Sequence, residues 1–304
     1  MTWTRTVYLP FNGEMTNNAA RIGALMAVGS MLCVQVGLAV SVTLIDRVGA
    51  EGVAWLRLVW AGLILLVVVR PKPSAFTRKT FGVSVLLGVV TALITLLFMA
   101  AIDRIPLGTA SALEFLGPLG VAVATAGAGR KVLWPALAAV GVLLLTEPWA
   151  GAIDAVGVLF ALAAAVCWAC YILLTQRVGD EVSGINGLAV SMPVAGLVAT
   201  VTVGPSVFDR MTVELLLIGI ALAILLPVVP FTLEFLSLRR LNTSAFGTLM
   251  SLEPAMAMIV GLLILHQVPG PLGVVGMGFV VAAGIGAARM GARTPQPVPA
   301  EANC

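Results

Sequence analysis

Apolar runs follow one another through almost the whole of this chain, and each is closed by a short polar break. A run of roughly 20 apolar residues, wound as a helix, matches the hydrocarbon thickness of a bilayer. Of 304 residues, 60% are hydrophobic and only 10% are charged; a soluble domain is about a quarter charged. So little charge cannot cover a water-facing surface, so the main solvent of this chain is lipid. The expected fold is an all-α polytopic membrane protein.

Ten spans are expected, near residues 22–44, 53–69, 80–101, 107–127, 132–146, 155–175, 185–204, 212–236, 242–265 and 270–290. Pro227 and Pro230 fall inside the eighth and predict a kink or an unwound turn. Residues 1–20 are polar and lack the apolar core of a removable signal peptide. They read as a cytoplasmic segment, with Met15 as an alternative start. Residues 292–304, rich in proline and small residues, read as a disordered cytoplasmic tail.

Orientation follows from lysine and arginine in the breaks. With the amino terminus inside, thirteen basic residues lie on the inner side, from Arg5 and Arg21 to Arg289 and Arg293, and only Arg47, Arg104 and Arg210 lie outside. Both termini are therefore expected in the cytoplasm, as in a multi-pass protein of the cell's inner membrane. The net charge of +3 reflects these orienting residues and implies no nucleic-acid partner.

The two halves resemble each other. Gly23–Cys33 aligns with Gly157–Cys167, Arg47-Val-Gly with Arg177-Val-Gly, the segment from Arg104 with that from Arg240, and Pro118 with Pro254. A repeat of five spans is odd, so its second copy must enter from the opposite face. The expected division is residues 21–146 and 147–291, two inverted five-helix repeats. Such repeats typify secondary transporters, whose substrate site lies between the halves near the midplane.

Four charged residues fall inside the spans: Arg57, Glu114, Glu234 and Glu253. Each costs about 2.5–3.5 kcal/mol at mid-bilayer on insertion scales unless paired or hydrated, so each should face the bundle interior or water. Glu253 is the deepest, eleven residues into the ninth span and followed by Pro254, which, like Pro118 in the fourth, is expected to kink its helix. It can hold a substrate ammonium, carry a proton, or serve as a structural carboxylate. Glu114, two turns into the fourth span, has a site suited to proton exchange or to packing. Arg57 either snorkels to the outer interface or pairs with Glu114 at similar depth. Glu234, close to Arg239, is interfacial or lines a cavity.

Trp168 and Tyr171 share one face of the sixth span and can wall a cavity by cation–π contact, or pack in the core. Gly273, Gly276, Gly284 and Gly286 allow close helix approach, within the chain or across a homodimer. Cys167 and Cys170 have C-x-x-C spacing but lie in an apolar helix, and no metal or cofactor is implied. No phosphate loop, zinc signature or nucleophile elbow occurs, so no enzyme is expected.

Three segments resemble the drug/metabolite transporter superfamily in its EamA-domain branch. Glu114, Gly117 and Pro118 in Ala112-Leu-Glu-Phe-Leu-Gly-Pro-Leu-Gly-Val-Ala are similar to the fourth span of the threonine and homoserine exporters. Glu253 and Pro254 in Phe246-Gly-Thr-Leu-Met-Ser-Leu-Glu-Pro-Ala are similar to their ninth. The run from Ala165 to Gly179 is similar to their sixth. The family often ends its ninth span in Gly-Glu, where this chain has His266-Gln267. The resemblance implies ten helices in two inverted repeats and efflux of small metabolites driven by an ion gradient, with protons as the expected coupling ion. Small amino acids are the leading cargo, hydrophobic cations or drugs the alternative. A non-transporting scaffold or receptor is the reading from another class, disfavoured by the buried charges.

Overall fold

Inside lipid no water is available to backbone N–H and C=O groups, so each must pair within the protein. The chain meets this demand with helices, and no strand occurs among the described residues. The computed structural model describes residues 13–71, 74, 76–125, 133–147, 154–181, 186–238 and 249–290. Arg130, Lys131, Arg239, Arg240 and the tail from Gly291 lie outside them.

The helices are α1 (Gly13–Val69), α2 (Arg78–Ile102), α3 (Leu107–Glu114), α4 (Leu116–Thr125), α5 (Leu133–Thr146), α6 (Ala155–Glu181), α7 (Asn186–Thr202), α8 (Gly204–Val207), α9 (Val213–Ala223), α10 (Val229–Leu238), α11 (Glu253–Leu265) and α12 (Pro271–Met290). Large apolar side chains such as Val68, Leu159, Val201 and Leu263 point outward and are more than 60% exposed. In water such a surface would drive association; here it is the surface that meets lipid.

The first two expected spans are two helices that meet at a kink within α1: Gly49, with φ of 80° and ψ of 160°, is non-helical and divides them. A side chain rarely tolerates positive φ, and a Cβ at Gly49 would also meet the Glu51 carboxylate at 2.7 Å. Three runs are long and apolar enough to cross a bilayer unaided: 21–69, 78–102 and 155–175. A fourth is the pair Asn186–Thr202 and Gly204–Arg210, bent by 66°. The fourth, eighth and ninth expected spans are less regular. The fourth has only a one-residue irregularity at Phe115 between α3 and α4, where φ of −62° and ψ of −16° stay helical and the N–H still bonds the Ser111 carbonyl at 3.0 Å. The eighth passes through a π-helical turn, Ile224–Val228, which contains Pro227 and runs directly into α10 with Pro230. The ninth is interrupted by a turn at Ser251–Leu252 before α11 starts.

Lipid gives helices no hydrophobic reason to associate, so close packing and hydrogen bonds must do it. Gly117 of α4 lies directly on the carbonyl of Ala165 in α6. Gly141 of α5 and Gly276 of α12 cross face to face, each within 2.7 Å of where the other's carbonyl oxygen would meet a Cβ. Gly284 covers Phe115 and Ser251, and Gly286 covers the Trp134 ring. The glycine face of α12 is thus used inside the chain at these three positions, which removes them as a dimer surface. Hydrogen bonds add to the packing: Ser237 Oγ donates to the Gly23 carbonyl at 2.8 Å, and Trp55 Nε1 donates to Thr200 Oγ1 at 3.0 Å.

One end of the bundle gathers the connections near residues 47–51, 104–107, 154, 210–214 and 267. Arg47 grips Glu214 through two bonds of 3.1 and 3.2 Å. Arg210 pairs with Glu51 at 3.3 Å, and Arg104 with Asp154 at 3.6 Å. Asp154 also caps α6 by accepting from Val156 N–H at 2.7 Å. Gln267 Oε1 accepts from the Leu107 N–H at 3.0 Å, capping α3, whose own N-cap residue, Pro106, makes no side-chain bond. The largest apolar core lies toward this end, with Leu38, Val48, Phe98, Leu107, Leu215 and Leu226 among its members.

Two packing outcomes are expected. Gly117→Val forces its Cβ onto a backbone carbonyl that cannot rotate away, so the folded, monodisperse fraction in detergent chromatography should collapse. Gln267→Ala should cost about 0.5–2 kcal/mol, the range for losing an N-terminal cap, read as a lower melting temperature. Gln267→Glu, which keeps the acceptor, should stay close to the parent.

Candidate functional site

A cavity of about 470 Å³ lies between the helices, within the roughly 300–1,000 Å³ of small-molecule sites. Its wall is mostly apolar, with a few polar groups converging on it. Gln35 comes from the first half of α1 and Arg57 from the second. Glu114 ends α3, Glu253 begins α11, and Trp168 and Tyr171 come from α6. Pro118 of α4 also lines it. Leu38, Phe98 and Leu226 belong both to the cavity wall and to the apolar core. The core therefore closes the cavity toward the ion-paired end, and the space extends away from it to Tyr171 and Ile172.

The two carboxylates sit differently on their helices. Glu114 is the last residue of α3, beside the small irregularity at Phe115. Glu253 was expected deep in the ninth span with Pro254 disturbing the helix after it; it is the first residue of α11, with Leu252 as N-cap and Pro254 next. Proline has no N–H to lose at a helix start and its fixed φ suits that position, so Pro254 places the break and the break places Glu253. The positive end of a helix favours negative charge beside it. Glu253 has that benefit; Glu114, at the C-terminal end of α3, does not.

Arg57 turns into the bundle, not out to the interface. Its Nη1 donates to the Met99 sulfur at 3.5 Å, a weak acceptor, and its buried Nε has no hydrogen-bond partner. Glu114 lies within electrostatic range of both Arg57 and Glu253. Gln35 is 1% exposed and donates from Nε2 to Glu253 Oε1 at 3.4 Å. Of the residues singled out by charge and aromaticity, the cavity thus brings together Arg57, Glu114, Glu253, Trp168 and Tyr171. Glu234 lies on α10, and its side chain is outside the described residues, as is its neighbour Arg239. Gln35 was missed because attention went to ionisable groups. Its signal was there: it is the sole amide between residues 22 and 44.

A polytopic helical membrane protein that holds acids, a base and aromatic rings around a cavity between its helices has the architecture of a transporter. The model of the EamA-like transporter family matches residues 155–288. The threonine/homoserine exporter RhtA of Escherichia coli strain K12 is 35% identical over 263 residues, which cover 84% of this chain and 88% of that protein. The exporter of the same name from Salmonella typhimurium strain LT2 is 33% identical over 273 residues, 88% of this chain and 91% of that protein. The fold also matches a crystal structure with a TM-score of 0.61 at 16% identity, over 90% of this chain and 99% of that one. The chain belongs to the EamA branch of the drug/metabolite transporters, a family of transporters and not of enzymes.

The charge balance within the cavity generates a stability prediction. Removing one partner of a buried charge pair costs about 3–5 kcal/mol, and less where, as here, the groups face a cavity. Arg57→Gln should lower the melting temperature in detergent by leaving two carboxylates without a cation. Adding Glu114→Gln to Arg57→Gln should recover part of the loss. A double variant no more stable than Arg57→Gln alone would show that the two charges do not interact.

Proposed function

We propose that this protein exports small amino acids of the threonine or homoserine kind, or related metabolites, from the cytoplasm across the inner membrane by proton antiport through this cavity. The single observation that carries the reading is the convergence of Glu114, Glu253 and Arg57 on one small, mostly apolar space. A zwitterion needs an anionic partner for its ammonium and donors for its carboxylate. Glu253, charged at a helix N-terminus, supplies the first, and the Arg57 guanidinium the second. Trp168 and Tyr171 offer ring faces to the ammonium or the cargo side chain. The similar proteins described above are threonine/homoserine exporters, which agrees in cargo class.

Glu114 is the proposed proton carrier. It lies in the same electrostatic field as Glu253 and lacks a helix N-terminus to hold its charge. Cargo and proton then compete for one charge balance, which is the minimal chemistry of antiport. Two inverted five-helix repeats, 21–146 and 147–291, with both termini cytoplasmic, form the framework for exposing the cavity to alternate sides. Efflux of hydrophobic cations is the second reading; the aromatic pair in the wall favours it, whereas Arg57 opposes a cargo that is only positive.

Counterflow of labelled threonine, homoserine and a wider metabolite panel in proteoliposomes tests the cargo class. Saturable exchange of a small amino acid is expected; the absence of any amino-acid movement, alongside exchange of lipophilic cations, would replace the first reading by the second. Glu114→Gln should fold and insert but lose the response of transport to an imposed pH gradient in inverted vesicles, since an amide keeps the shape and cannot release a proton. A parental gradient response in Glu114→Gln would return that residue to a packing role.

A further inference from the structure

Gln35 is buried, yet only half of its amide is satisfied. An ionised carboxylate only accepts hydrogen bonds, so Nε2 must face Glu253 and Oε1 must face away from it. The bond to Glu253 Oε1 is 3.4 Å, while Gln35 Oε1 is enclosed and has no hydrogen-bond partner. Both residues line the cavity. An unpaired buried carbonyl is costly, and a ligand donor in the cavity removes that cost. A buried amide with half of its hydrogen-bonding capacity unmet calls for a function.

We infer that Gln35 and Glu253 form a two-acceptor subsite for a primary ammonium group, and that Gln35 is the specificity-determining residue that separates amino acids from tertiary and quaternary ammonium compounds. The inference rests on the export of ammonium-bearing cargo proposed above and names the group that reads the ammonium. A primary ammonium carries three N–H donors. One satisfies the Glu253 carboxylate, which supplies the charge, and a second satisfies Gln35 Oε1, which adds an acceptor without a second negative charge. A tertiary ammonium has a single donor and a quaternary one has none. Either leaves the amide oxygen unpaired in the bound state, and a site built to hydrogen-bond a group rejects analogues that lack it. The Arg57 Nε, likewise buried, partnerless and on a lining residue, offers a donor to the cargo carboxylate. Acceptors for the ammonium and a donor for the carboxylate together select a zwitterion.

The test uses the full-length protein and threonine with zero, one, two or three N-methyl groups. Each compound competes against labelled threonine in counterflow, and each is also measured by thermal shift of the purified protein. With two acceptors, the step falls between one and two methyl groups, where the second N–H is lost; a drop in apparent affinity of about 10- to 100-fold is expected there, the scale of one desolvated hydrogen bond. Gln35→Leu should flatten that step by lowering threonine to the level of its dimethyl derivative. Gln35→Glu, which keeps an acceptor, should retain the step. If Gln35→Leu does not fold, Gln35→Met carries the same expectation. A step that persists in Gln35→Leu or Gln35→Met, or that is missing from the parent, overturns the subsite. The step in thermal shift without movement of threonine upholds the subsite and sinks the export reading. Threonine movement without the step does the reverse, and neither binding nor movement overturns both.

Discussion

Charge in lipid has few places to go. An ion that faces hydrocarbon is costly enough that its side chain must turn inward, meet water or find a partner, and the arrangement of this protein depends on that constraint. Arg57, Glu114 and Glu253 come from three different helices and share one cavity. A bundle that gathers them cannot also fill its middle with leucine and valine, so the largest apolar core is displaced to one end. The cavity is the space that the inward-turned polar groups keep open.

The backbone is adapted to the same demand. A continuous helix would satisfy every N–H and leave no break in which to set a carboxylate. Here the ninth span is interrupted beside Glu253, while the eighth relaxes into a π turn. Irregular backbone at membrane depth is tolerated where it is buried in protein or lines a cavity. The Phe115 ring, next to Glu114, and Ser251, from the ninth-span turn, both lie against Gly284 of α12. A residue with a Cβ at that position would push the two apart. Glycine on α12 therefore serves the site, although it lies outside the cavity wall.

Much of this could be read from the chain itself, and the physical reason is that membranes punish exceptions. Charges inside apolar runs stand out at once, so Arg57, Glu114 and Glu253 were candidates before any geometry. Sequence could not tell which way Arg57 points, since snorkelling and inward pairing use the same residue at the same depth. It expected Pro254 to disturb the helix beside Glu253, but not the turn before it, because hydropathy is blind to Ser251 and Leu252, neither of which is unusual in a helix. It separated the first two spans, and in the structure a single residue, Gly49, makes that separation. Gln35 escaped notice because a neutral amide costs lipid less than a charge does. Its importance comes from a partner more than two hundred residues away, and no local pattern carries that information.

The ion pairs at the closed end bear on how such a bundle could open. Arg47, Arg104 and Arg210 are the three basic residues assigned to the outer side by the charge bias, and each has an acidic partner there. Their side chains are 42–48% exposed, and exposed pairs contribute about 0–1 kcal/mol each. Closure at this end therefore rests on the apolar contacts of Leu38, Phe98 and Leu226, with the ion pairs fixing register. That division suits a door. Surface pairs exchange protein partners for water at little cost, and Leu38, Phe98 and Leu226 already face both the core and the cavity. A cargo leaving on that side would have to part these three side chains. Since they are apolar, they could reseal behind it without leaving a polar group unsatisfied.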